Sequence, residues 1–281
     1  MKKKKIIVGG IALLLLLGGV FHFRVSIKNW VINLASPSLP IAVDYTPSLD
    51  KKVLTKDQPA KQTVNQNINT AVNKTEPLPE QKATPTTEKI LPVKYNLAVP
   101  FTMQAPYSDW SEPWQNTCEE ASVLMVHYYY QNKTFTKETA KQDLLKLVEW
   151  QNKNFGSYID TTIKQTAEMV EKNWGYKTEI IDNPTIDQIR KLISDGLPVM
   201  LPAAGRELNN PYFVQPGPIY HMFVIKGYTA DNKFITNDPG IGKGHDYLYS
   251  TAIIMNAMHD WNGNEENILQ GAKKILIIYP E

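Results

Sequence analysis

The chain uses cysteine once in 281 residues, and places it in the run Gln115-Asn-Thr-Cys-Glu-Glu-Ala-Ser-Val-Leu-Met-Val-His127. Thr117-Cys118-Glu119-Glu120 fits a capping box, with Thr117 as helix cap and Glu120 returning to it. Cys118 is then the first helical residue, where backbone amides and the positive helix end favour a thiolate. The apolar positions come later, at Ala121, Leu124, Met125 and Tyr128, so packing gives no reason for a cysteine at the helix mouth. Glu119 and Glu120 act in the opposite direction, because nearby negative charge opposes a thiolate. A buried, inert cysteine is the plain alternative.

A thiol nucleophile needs a base, and the base needs an orienting group. Of the five histidines, His22 falls in an N-terminal apolar run. His127 lies nine residues along the cysteine's own helix, about 13 Å away. His259 adjoins Asp260 within a helical pattern, where neighbours do not face each other. His245 sits in the glycine-rich loop GIGKGHDY. His221 opens the apolar strand pattern HMFVIKGY, and Asp238 follows the next strand pattern, KFITN. Two antiparallel strands joined near Gly227 to Lys233 bring 221 and 238 to one end of a sheet, where Asp238 can hold the imidazole. Alone, His221 would read as an edge histidine and Asp238 as a turn residue in Asn-Asp-Pro-Gly. An oxyanion needs donors. The Cys118 amide is one, and Gln104 and Gln115 both qualify as the second.

The elements that must position these residues follow. A short strand is expected over 97–101 and helices over 118–131, 137–151, 160–173 and 186–194, the last capped by Thr185 and ended by Gly196. Strands are expected over 176–181, 198–203, 221–228 and 233–237, then a helix from Ser250 and a closing strand in KKILIIYP. Helices cluster first and strands follow, which makes the fold class α+β. Residues 96–281 suffice for one core.

Before this domain the composition changes. Residues 1–36 carry six basic residues and no acid, leaving 24 basic against 28 acidic residues in the remainder. The globular part therefore has no basic footprint for nucleic acid, and none is expected as a partner. Four lysines followed by the uncharged run Ile6–Phe23 suggest a single-pass anchor in the cell membrane with the C-terminal domain outside. A cleaved signal segment and a secreted protein are the alternative. No cysteine follows the apolar run, which excludes a bacterial lipoprotein. Residues 37–95, rich in Pro, Thr, Lys, Gln and Asn, read as a disordered tether. There is neither a paired-cysteine motif nor His-Glu-x-x-His, so no metal or other cofactor is expected.

The segments VPFTMQ, CEEASVLMVHYYY, GLPVMLPA, HMFVIKGY and TNDPG together resemble the peptidase C-thirty-nine-like family, papain-like relatives of the bacteriocin leader peptidases. The resemblance covers about 97–250. It implies a papain-like fold, with a cysteine-bearing helix against a small antiparallel sheet. It implies Cys118 as nucleophile, His221 as general base and acid, and Asp238 as orienting group. The VPF-x-x-Gln context makes Gln104 the oxyanion glutamine. However, Gln104 stands fourteen residues before Cys118, an unexpectedly long gap, so Gln115 is the fallback.

The expected function is a membrane-tethered cysteine peptidase-like hydrolase acting outside the cytoplasm. Its partner would be a peptide or protein substrate, cell-wall peptide included. Tyr107, Trp110 and Trp114 are expected to line its cleft. The alternatives are a catalytically idle papain-like binding module at the cell surface and a structural wall or adhesion protein.

Overall fold

The computed structural model describes residues 38–47 and 90–280. The chain divides into the units Met1–Ile41 and Ala42–Glu281; of the first, only 38–41 are described. The second contains every element discussed below.

The elements run β1 (Tyr95–Asn96), α1 (Cys118–Tyr130), α2 (Lys137–Phe155), α3 (Ile163–Trp174), β2 (Lys177–Asp182), α4 (Ile186–Ser194), β3 (Val199–Ala204), β4 (Tyr220–Tyr228), β5 (Lys233–Asn237), β6 (Tyr247–Ser250), α5 (Thr251–Ala257) and β7 (Lys274–Tyr279). The strands form one sheet in the order β2-β7-β3-β4-β5-β6, with β1 also pairing β4. All these pairings are antiparallel. Helices precede the central strands in the chain, as the α+β expectation required. The central strands β3 and β4 are buried along their whole length. Their apolar run, with no polar alternation, is the pattern of strands covered on both faces.

Local sequence explains most helix ends. Thr136, Thr162 and Thr185 each accept an N–H from the third helical residue, with reciprocal side-chain bonds that complete a capping box. Gly156 and Gly175 take left-handed conformations at the ends of α2 and α3, as the steric freedom of glycine allows. The cysteine helix α1 departs from this scheme. Thr117 makes no capping bond. Its hydroxyl donates instead to Gln104 O at 3.1 Å and Trp114 O at 3.3 Å. Glu120 turns inward, where Gln151 donates to it. The capping-box expectation for 117–120 was therefore wrong, because tertiary partners outcompete the local ones.

Among the described residues before β1, within the expected tether, several contact the domain. Val43 N–H donates to Asn96 O at 3.0 Å and Ala98 N–H to Val43 O at 2.8 Å. Tyr45 packs edge-on against Tyr129 and Tyr130, and Tyr228 OH donates to Pro92 O at 3.0 Å. Val43 engages through its backbone, and Tyr45 through its ring. The remainder of that segment, 48–89, lies outside the described residues. The expected strand over 97–101 is reduced to a bridge at Leu97, paired with Val43.

The expected location in the cell membrane is corrected. Among the described residues no helix is long and apolar enough to cross a membrane. Residues 1–36, to which the anchor was assigned, lie outside the described residues.

Candidate active site

The site forms where β5 stops. β4 and β5 are paired from Tyr228↔Phe234 to Val224↔Asn237, with a bulge between Ile225 and Gly227. Asp238-Pro239-Gly240 then turns the chain away, since proline cannot donate to a ladder. That turn leaves Met222, paired with Pro202 of β3 on one side, without a strand neighbour on its β5 side, and the start of α1 takes the place. Ser122 Oγ donates to Met222 O at 3.1 Å, and the Met222 amide acts to favour the Cys118 thiolate. The first turn of α1 thus docks on Met222, the residue after His221 in β4.

His221 Nε2 and Asp238 Oδ1 are 2.7 Å apart, both buried. Asp238 also accepts from Gly240 N–H at 3.0 Å and, on Oδ2, from Tyr249 OH at 2.7 Å. Tyr249 in turn receives Asn210 Nδ2 at 2.5 Å. Burial alone would push the Asp238 carboxyl up. The adjoining imidazole, Tyr249 and the Gly240 amide offset it and hold the carboxyl below its ordinary value. Phe213 meets the imidazole edge-on at 5.4 Å. Gly240 leaves room for the ring, because a Cβ there would stand 2.8 Å from His221 Cε1.

Gln104 reaches the site despite its distance in sequence. Its amide N–H donates to Pro239 O at 3.0 Å, and Asn237 Nδ2 donates to Val99 O and Pro100 O. The VPFTMQ segment is thereby strapped to the Asn-Asp-Pro-Gly turn. Residues 105–113 loop out and return, and Gln104 Nε2 donates to Trp114 O at 2.9 Å. Gln104 is buried, whereas Gln115 is exposed. Cys118, His221, Gln104 and Gln115 all line one cleft of about 580 Å³. Trp110 lines it too, but the expectation for its neighbours does not hold. Tyr107 faces Glu138, at 2.9 Å, and Trp114 packs against the core.

The thiol itself donates to Glu119 Oε2 at 3.0 Å. Burial first, then the charge of Glu119 and this hydrogen bond, push the Cys118 thiol well above its ordinary value; the Met222 amide opposes them. The favourable helix end is thus outweighed in this geometry. Sequence reasoning noted the opposing charge of Glu119 but not its contact with sulfur. It missed Tyr249 and Asn210 altogether. Tyr249 could have been found as the inward residue of the strand that follows Asp238.

The remaining histidines lie elsewhere. His127 stacks on Trp174 at 4.3 Å and meets Tyr176 OH; burial pushes it down to about 4. His259 Nδ1 contacts Gly271 O at 2.7 Å. His245 is exposed, 3.6 Å from Asp246. Among the described residues no cluster of His, Cys, Asp and Glu could hold a metal ion.

Residues 96–266 match the Peptidase_C39 like family. The chain belongs to that family. Among solved structures it is similar to a chain from Bacillus anthracis described as a C39-like peptidase. The two are 16% identical, with a TM-score of 0.43, over 69% of this chain and 98% of the other. No curated protein matches. The family and the α+β fold support a papain-like peptidase kind of function for this C39-like chain.

Proposed function

We propose that this C39-like chain is a cysteine peptidase-like hydrolase that cleaves peptide or related amide bonds through Cys118, His221 and Asp238. The observation that carries the reading is the buried 2.7 Å contact between His221 and Asp238 in a cleft that Cys118 also lines. Asp238 engages Nε2, so Nδ1 is the ring nitrogen left to serve the thiol. In this reading Nδ1 takes the thiol proton, and sulfur attacks the carbonyl carbon. The oxyanion receives the Cys118 amide, which has no carbonyl partner within its helix, and the second hydrogen of Gln104 Nε2. His221 then protonates the leaving amine, and water resolves the thioester. Gln104 is preferred to Gln115 because an oxyanion donor must be held before charge develops, and Gln104 is the buried, tethered one. The catalytic domain is residues 96–281, and Val43, Tyr45, Pro92 and Tyr95 contact it.

A second reading, an idle binding module, draws on one observation. The thiol is bonded to Glu119 and pushed up, away from its reactive form. Iodoacetamide alkylation of the full chain, with and without His221→Ala, decides between the two. With one cysteine the thiol signal has a single source. A hydrolase site should show alkylation that slows about tenfold or more without His221. A rate indifferent to His221 would leave the binding module.

A further inference from the structure

Glu119 is buried against the nucleophile, and the proposed reaction gives it no part. Its Oε2 accepts the thiol hydrogen of Cys118. Its Oε1 accepts Thr161 N–H at 2.9 Å and Thr161 Oγ1 at 3.3 Å. The carboxyl is therefore fixed from both sides and cannot swing clear of sulfur. The charged and titratable groups that face it come from three directions. Glu120 and Cys118 share its helix. Asp160 stands on the segment leading into α3. Tyr220, from β4, faces Glu119, Asp160 and Asp260 together, and its hydroxyl donates to Thr161 O. These neighbours are carboxylates, a thiol and a phenol; the basic group of the site is His221, which lines the same cleft as Cys118, Asp160 and Tyr220.

We propose that Glu119 is a second proton-holding residue of the nucleophile, which keeps Cys118 as a thiol when ionised and releases it as a thiolate when protonated. The release rests on the reading of His221 as the base. In the ionised state, S–H donates to Oε2 and the sulfur hydrogen is engaged away from the imidazole. When the carboxylate takes one proton from solvent, its own O–H becomes the donor to Sγ. The thiol hydrogen then passes to His221 Nδ1, giving thiolate and imidazolium. One proton is taken up overall, and no bond other than to hydrogen changes. Burial, with Asp160 adding to it, pushes Glu119 up to about 7, so the change falls near neutrality. The site is then poised for mildly acidic surroundings, opposite to a free thiol, which gains reactivity as pH rises.

The test uses the full chain and needs no substrate. Thiolate absorbance and iodoacetamide alkylation are followed from about pH 5 to about pH 9. In the unmutated protein both should fall as pH rises through neutrality. Glu119→Gln keeps an amide oxygen for Thr161 and offers N–H to sulfur, so the fall should vanish and alkylation at about pH 8 should rise about tenfold. Native profiles that rise steadily with pH overturn the proposal, whether or not the variant folds. So does a folded Glu119→Gln no faster than the parent at alkaline pH. His221→Ala separates the two readings. If Glu119→Gln behaves as expected while His221→Ala changes nothing, the carboxyl's hold on the thiol stands, and the base assignment fails together with the release routed through it. If only His221→Ala slows alkylation, the base stands and this proposal fails.

Discussion

Asp238 makes its bonds on both oxygens, and that decides how firmly the imidazole is held. Oδ1 serves His221 and the Gly240 amide, while Oδ2 serves Tyr249, itself fixed by Asn210. Tyr249→Phe removes one neutral donor to a buried carboxylate, worth about 1–2 kcal/mol. Cys118 alkylation should slow several-fold, while the circular dichroism spectrum stays that of the parent. Gly240→Ala acts on the ring directly. Its Cβ would sit 2.8 Å from His221 Cε1, closer than nonbonded carbons approach. Since Gly240 lies in a turn outside the strands, the expected outcome is a folded protein whose alkylation no longer responds to His221→Ala.

At the scale of elements, the bulge in β4 governs the register that brings residue 221 beside 238. It coincides with Lys226, which is buried and paired with Asp246. Burial pushes the Lys226 ammonium down and Asp246 opposes that shift. Asp246→Asn would leave the ammonium without its counter-charge, and removing one partner of a buried pair is costly. Asp246 is partly exposed, so we expect a loss of about 2 kcal/mol, below the roughly 3–5 kcal/mol of a fully buried pair. Urea unfolding should show it as a lower midpoint with an unchanged slope. Thr117 joins the loop that carries Gln104 to the helix that carries Cys118. Its role is therefore between elements, which a reading of helix caps from the sequence could not foresee.

Over the whole molecule, the buried pair Glu119 and Glu120 links stability to pH. Burial raises both carboxyls, Glu119 to about 7. A group raised on folding stabilises most below its unfolded value, and that contribution is lost as pH rises through its folded value. The thermal midpoint should therefore drop between mildly acidic and mildly alkaline buffer. Glu119→Gln should flatten the drop, and a drop of the same size in that variant would place its origin elsewhere. The α+β class and nearly every helix and strand could be read from the sequence, and the candidates Cys118, His221, Gln104 and Gln115 line one cleft, with Asp238 bonded to His221. Periodicity, Thr caps and terminal glycines are local signals, and residue type limits chemistry. What only the tertiary structure decided concerns competition among distant groups. Thr117 abandoned its cap for Gln104 and Trp114, Glu120 turned to Gln151, and Tyr45 came from outside the expected domain to pack on Tyr129 and Tyr130. Tyr249 and Asn210 joined Asp238 through contacts no spacing announces. A hydrogen-bonding side chain takes the partner that burial brings to it, and the chain order does not contain that choice.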